Sequence, residues 1–331
     1  MRRMLSLLVL AAGCAPAQTA APIAPLAAPY KGWPEAIFMD AAEPGSSLIA
    51  VPESGGRIIH FARSGHSILF ENPDYLGKTL ANTKPDELAQ GYIGYNIDLG
   101  PELRKIPKHL PLWMGPYGWR WDGASTHLLS SPDPSVGIQI EKTLKLDPKT
   151  GSLELLQTMT NVASAEHAYC LWDRTLCMGG GFALVPLAKK SRFKAGWSLM
   201  KDGAYRGEDP AHPKVRILDG VLVAQAEGPS SKLGLDSDAG WIAYARERLL
   251  FVKYFPYSPQ GPYTDGGNSV EIYFDPKVCE LEPLSPEVKL QPGERYAFPE
   301  HWILIELDHD VRRAEEARAL VDRIPRSPLG R

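Results

Sequence analysis

The chain has 331 residues, with 36 Lys and Arg against 39 Asp and Glu and a net charge of −3. Acids and bases are interspersed, so the basic footprint that nucleic acid needs is missing. Beyond the first dozen residues no apolar run is long enough to span a bilayer, and an all-β domain of this length is often undivided.

Arg2 and Arg3 precede the apolar run Leu5 to Ala12, which leads into Leu10-Ala11-Ala12-Gly13-Cys14. A charged start, a short apolar stretch and a small residue before cysteine read as a lipoprotein-type secretory signal over residues 1–14. Cleavage would leave Cys14 as the acylated N-terminus; an ordinary signal cut after a nearby alanine is the alternative. Ala15, rather than Asp, follows the cysteine, which points to the outer membrane, facing periplasm or cell surface. Residues 15–30 are rich in Ala and Pro and predict a semi-extended spacer. A lipid anchor is then the only membrane contact, and residues 31–310 form the folded domain.

Along that domain, hairpin signals recur. The segment Trp113 to Asp122 concentrates aromatics among Gly and Pro and predicts a loop over a sheet. Trp119 and Trp121 offer flat plates for sugar rings, with Arg120, Asp122 and Asn96 within reach of hydroxyls; filling the core is the competing role for these tryptophans. Val136 to Leu146 alternates in period two, Asp147 to Gly151 turns the chain, and Ser152 to Asn161 returns it. Asp219-Gly220 between two β-branched runs predicts a tight two-residue hairpin. Trp241 to Tyr244 and Leu249 to Phe255 predict another, turning at Arg246-Glu247-Arg248.

The stretch Tyr263 to Leu307 is the most informative. Val270 to Phe274 and Val278 to Glu282 both alternate, so Glu280 and Glu282 share a face, with Cα atoms roughly 6.5 Å apart. Like charges that close raise one carboxyl pKa, which suits acid–base chemistry; a solvated sheet face is the plain alternative. Glu271, on the strand before, is placed to join the cluster. His301, before the last strand, is placed to face Glu280 or Glu282 as a proton shuttle. The remaining cysteines, Cys170, Cys177 and Cys279, allow at most one disulfide and read as buried thiols. His167-x-x-Cys170 with Cys177 matches no zinc spacing, so neither metal nor cofactor is expected. At the end, Asp310 is positioned to cap a helix with Ala317, Leu320, Val321 and Ile324 on one stripe, and residues 311–331 form this helix and a tail. So many short strands predict an all-β, two-sheet antiparallel sandwich.

Three groups of residues carry a resemblance. They are Glu280-Leu281-Glu282-Pro283 with Val288 to Glu294 and His301 to Leu304; Gly55 to Phe61 with Gly65 and Ile68 to Phe70; and Thr160-Asn161 with Gly179-Gly180-Gly181, bracketing a strand. In this order they resemble the galactose-mutarotase-like superfamily, closest to an uncharacterised bacterial branch known as a domain of unknown function. The resemblance implies a β-super-sandwich with a sugar groove. By the same likeness Glu282 or Glu280 is a base on an anomeric hydroxyl; the family's paired Asn-Arg that grips substrate is not recognisable here, which leaves Asn96 for part of that role and Arg174 as a further candidate contact. The family's mid-strand acid is a histidine; its position falls near Asp173, leaving Asp173, His167 or His301 as candidate acids. Together with the N-terminal signal, the resemblance predicts an exported protein that binds or processes carbohydrate. A binder that kept the groove and lost the acid is one alternative, and a polysaccharide lyase or hydrolase on the same fold is another.

Overall fold

A computed structural model describes residues 20–88 and 92–330; Cys14 and its signal lie outside them. The described residues form two large antiparallel sheets. The larger has 13 strands. Its order is Leu26–Tyr30, Trp33–Ala41, Ser46–Val51, Arg57–Arg63, Tyr95–Gly100, His167–Met178, Val278–Pro283, Val270–Phe274, Ser231–Leu235, Ser198–Lys201 and Ala204–Arg206, with His66–Ser67 and Val288–Leu290 attached at its side. The smaller has nine. It runs Val215–Leu218, Val221–Gln225, Phe182–Pro186, Trp241–Tyr254, Arg295–Val311, Leu153–Asn161, Ile138–Leu146, Thr126–Ser130 and Tyr117–Trp121. The all-β sandwich expected from the strand pattern is the fold.

Alternation in period two sends one side of each strand into the space between the sheets. Ile138, Ile140, Leu144 and Leu146 meet Leu153, Leu155 and Met159 there. Phe61 and Tyr95 of the larger sheet pack edge-on against Trp302 of the smaller, which also meets Phe251. The Asp219-Gly220 turn has φ of 45° and 75°, the left-handed pair that a two-residue hairpin demands.

The same interior holds a buried polar network. Lys253 ion-pairs with Asp173, lies 3.5 Å from Glu300 Oε2 and donates to Thr175 Oγ1 at 2.7 Å. Thr175 in turn donates to Asp173 Oδ1, and Gln157 and Trp302 donate to Glu300. Buried charges survive only when partnered in this way.

Several expectations change. Leu26–Tyr30, in the stretch read as spacer, is a strand paired with Trp33–Ala41. Trp241–Tyr254 is one strand, not a hairpin: Glu247 takes φ 51° and the ladder bulges there without reversing the chain. Bulges bend a strand and shift its partners, so its first half pairs with Phe182–Pro186 and its second with Arg295–Val311. That last strand runs through Asp310, so the helix begins later, at Ala314–Ala319. Its N-terminus is closed by the Glu316 carboxylate, which accepts from the backbone N–H of Arg312 and Arg313. Ala317, Leu320, Val321 and Ile324 do form one stripe, laid on the outer face of the smaller sheet.

Candidate functional site

The Val278–Pro283 strand lies near the middle of the larger sheet, with Cys279 and Leu281 in the core and Glu280 and Glu282 on the outer face. Register builds rows across that face. Tyr273 stands opposite Glu280 and Lys232 opposite Tyr273; Glu271 stands opposite Glu282 and Gly234 opposite Glu271. A Cβ on Gly234 would come within 2.3 Å of Asn268 Nδ2, the group that donates to Glu271 Oε1 at 3.0 Å. Glycine there makes room for the amide. On the other side, Trp172 and Arg174 of His167–Met178 share the outer face with Asp98 of Tyr95–Gly100.

One ammonium serves three carboxylates. Lys232 Nζ lies 2.8 Å from Glu282 Oε2, 3.0 Å from Glu102 Oε2 and 3.3 Å from Glu271 Oε2. Trp172 Nε1 donates to the same Glu282 oxygen at 2.6 Å, whereas Glu282 Oε1 is buried without a hydrogen-bond partner. Arg174 grips Glu280 through Nε at 2.8 Å and Nη2 at 3.4 Å, and its Nη1 lies 3.5 Å from Asp98 Oδ2. Asp98 also meets His109 Nε2 at 2.6 Å, and Tyr205 donates to Glu102 at 3.0 Å. Asp265 fixes the loop that carries Glu102 by accepting from the backbone N–H of Glu102 and Leu103. Three rings surround the Arg174 guanidinium: Trp172 at 4.8 Å, Trp113 at 5.1 Å and Tyr92 at 5.4 Å. Lys232 sits 4.5 Å over Trp172.

Carboxylates outnumber the cations among them, and burial decides where the surplus goes. Burial, with Glu280 and Glu271 nearby, holds Glu282 well above the usual carboxyl range despite Lys232. Burial, with Glu102 and Asp265, raises Glu271 to about 7. The two face each other across one ammonium, so near neutrality the pair retains a proton. Burial works against the Lys232 charge, but Glu282, Glu271 and Glu102 outweigh it and keep the ammonium charged. Burial likewise opposes the His109 cation, yet the bond to Asp98 raises it above the ordinary imidazole value.

Above this floor lies a groove of about 670 Å³, lined by Glu280, Arg174, Lys232, Glu102, Tyr273 and Tyr92 among others. Glu280 reaches the groove; Glu282 lies beneath it, covered by Trp172 and Lys232. Donors and acceptors alternate along the lining beside aromatic faces, an arrangement that fits neutral polyhydroxyl ligands.

The structure gathers Glu280, Glu282, Glu271 and Arg174 in one cluster and sends the other candidates elsewhere. Asp173 lies one residue from Trp172 and Arg174, so strand alternation turns it to the opposite face, into the network between the sheets. Asn96 is buried, donating to Trp113 O at 2.7 Å and accepting from Lys142. His167 stacks on Tyr169 and sits against Gly137, where a Cβ would fall 2.6 Å from its Nε2. His301 alternates with the core residue Trp302 and so lies on the outer face of the smaller sheet beside Tyr254, where burial lowers its pKa.

The Trp119 segment is an edge strand of the smaller sheet instead of a loop over the larger one. Trp119 and Trp121 share a side, as extended backbone requires, but Trp119 packs on the core and donates to Glu35 at 2.7 Å. Arg120 is exposed on the same edge strand, and Asp122 caps its turn, accepting from Ala124, Ser125 and His127. The aromatic that this region gives to the cluster is Trp113, on the short helix Leu110–Met114. Cys170, Cys177 and Cys279 are free and buried, and burial pushes the Cys170 thiol up to about 12.

Lys232, Glu102, Asp98, His109, Trp172 and Trp113 escaped the sequence reading. Each comes from a different strand or loop, so only the pairing of distant segments unites them.

Residues 120–305 match the family model for a domain of unknown function, DUF4380. The chain belongs to that family. No curated protein matches the sequence. Among solved structures, a galactose mutarotase-like protein from Clostridium acetobutylicum is similar with a TM-score of 0.55 and 10% identity, over 86% of this chain and 99% of the other. One from Lactobacillus casei gives 0.54 and 10%, over 85% and 100%. A Synechocystis protein gives 0.57 and 13%, over 87% and 98%. At such identities the likeness establishes the galactose-mutarotase-like fold and nothing finer.

Proposed function

We propose that this DUF4380 protein binds a carbohydrate in the groove over the Val278–Pro283 strand, and that it holds the sugar without turning it over. The carrying observation is the pairing of Glu280 with Arg174 at the groove floor, beside the Tyr92 and Tyr273 rings that also line it. It presents fixed charge-assisted partners for hydroxyls beside flat apolar faces. Ring opening also needs an acid at the ring oxygen. On the strand beside Glu280 the residues that line the groove are Arg174 and Leu176, and both nitrogens of the His109 imidazole are engaged, by Asp98 and Pro107. Lys232, held above its ordinary pKa, is a poor proton donor. A glycan array is expected to bind the wild-type protein, with Glu280→Gln losing at least about tenfold in affinity, the scale of one charge-assisted hydrogen bond. An array with no hit would sink the reading.

The proton shared by Glu271 and Glu282 favours a second reading, an isomerase with Glu280 or Glu282 as base. Anomer-exchange NMR on the array hit separates the two, since acceleration of exchange by wild type alone means turnover. Export and acylation at Cys14 complete the proposal, supported by the basic start and the Leu10–Cys14 sequence. Cys14→Ser is expected to move the protein from the membrane fraction to the soluble one; equal fractionation would exclude the anchor.

A further inference from the structure

A second arrangement of side chains stands on adjacent strands at the other end of the larger sheet. Ser47, half-buried on Ser46–Val51, has its Oγ 3.2 Å from His60 Nε2 on Arg57–Arg63. His60 Nδ1 lies 3.1 Å from Glu71 Oε1. Tyr30 donates to both Glu71 oxygens, at 3.3 and 3.1 Å, and Lys31 ion-pairs with Oε2. His60 and Glu71 line a cleft of about 1300 Å³, distinct from the groove although Phe70 and Lys277 border both.

The hydrogen-bond inventory fixes the tautomer. Burial alone would favour the neutral Glu71 carboxyl, but His60, Lys31 and Tyr30 hold its pKa down to about 2. Glu71 is therefore a carboxylate and can only accept, so His60 Nδ1 carries the hydrogen. In the neutral imidazole Nε2 is then bare and placed to accept from the Ser47 hydroxyl. This is the order of contacts by which a serine is activated on unrelated folds: hydroxyl to imidazole, imidazole to carboxylate.

We infer that Ser47, His60 and Glu71 form a serine-hydrolase site that cleaves neutral acyl esters on the sheet face beside this cleft, where Ser47 stands next to the cleft-lining His60. Ser47 Oγ bonds to the ester carbonyl carbon while its proton passes to His60 Nε2, and Glu71 steadies the imidazolium. The carbon–oxygen bond to the alcohol then breaks, and the alcohol leaves with that proton. Water, losing a proton to His60, attacks the Ser47 acyl group; release of the acid returns the proton to Ser47. No other reactant is needed. The exposed Asp40 stands opposite Ser47 on the neighbouring strand, which disfavours negatively charged acyl groups and selects neutral ones. The inference is independent of the carbohydrate reading.

The test treats the full chain with a fluorophosphonate probe, maps the adduct by peptide mass spectrometry, and follows p-nitrophenyl acetate hydrolysis. One adduct at Ser47 is expected. Ser47→Ala, which removes one oxygen from a half-buried position, should lose the adduct and at least about tenfold in hydrolysis with an unchanged melt. His60→Gln should lose the adduct with Ser47 still present. A wild-type protein that takes no phosphonate at Ser47, or a folded Ser47→Ala that hydrolyses the ester at the wild-type rate, would overturn the inference. Should Ser47→Ala fail to fold, mapping of the wild-type adduct decides by itself.

Discussion

Glu271 and Glu282 face one another with a single ammonium between them, and that juxtaposition has a pH signature. Burial raises Glu271 from an ordinary 4.5 to about 7. A carboxyl whose folded pKa is raised binds its proton more tightly in the folded state, so its contribution is fully present below about 4.5 and is lost as pH rises through about 7. Glu271→Gln keeps the acceptor for Asn268 and removes the titration. Denaturant unfolding from pH 4 to 8 is expected to show the wild type losing stability across this window, by roughly 3 kcal/mol at most, with the variant flat by comparison. Parallel profiles for the two proteins would mean that Glu271 is ionised throughout.

At the scale of the element, a strand's own sequence settles which residues share a face, and the neighbouring strand settles what they meet. Alternation through Val278 to Glu282 was enough to put Glu280 and Glu282 on one face, away from Cys279 and Leu281, and Glu271 was legible as their neighbour. The cations were not: Lys232 and Arg174 reach the cluster through register between segments roughly fifty and a hundred residues away from Glu282, and no local pattern encodes that pairing. The mutarotase resemblance placed the acid near Asp173, but a one-residue step in a strand reverses the face, and the groove receives Arg174 and Leu176. The Gly-rich segment around Trp119 read as a loop because Gly and Pro punctuate it; it is an edge hairpin whose indole is bound to Glu35. Trp119→Ala is therefore expected to destabilise by about 2–4 kcal/mol through lost packing and a lost hydrogen bond, measured by urea unfolding, while leaving carbohydrate affinity unchanged. A stable variant with lost affinity would restore Trp119 to a binding role.

Across the whole molecule, the two sheets are joined by apolar packing and by one buried ionic network. Lys253 comes from the smaller sheet, Asp173 from the larger, and Glu300 from the strand beside Lys253. Such a network adds little stability over an apolar core of the same shape, but breaking it is costly. Burial and the nearby Glu300 hold Asp173 well above the ordinary carboxyl pKa, so Lys253→Met removes the one cation that this pair of carboxyls shares, and a loss of about 3–5 kcal/mol in urea unfolding is expected. Combining it with Asp173→Asn and Glu300→Gln should recover most of that loss. If the triple variant is no better than the single one, shape and not charge is what Lys253 supplies. The network thus pins the two sheets, while the acidic cluster on the outer face stays free to meet a ligand.

The central claim is that a carbohydrate settles over Glu280 and Arg174, and the buried Trp172 indole reports on that floor because its ring packs on the Arg174 guanidinium and its N–H is bonded to Glu282. Its ¹H–¹⁵N resonance, assigned by its absence in Trp172→Phe, can be followed while the best array ligand is titrated in. Saturable movement of the Trp172 signal is expected, with the Trp119 signal unmoved and the response lost in Glu280→Gln. A ligand that leaves Trp172 still, or that shifts Trp119 instead, would contradict the placement of the sugar in this groove.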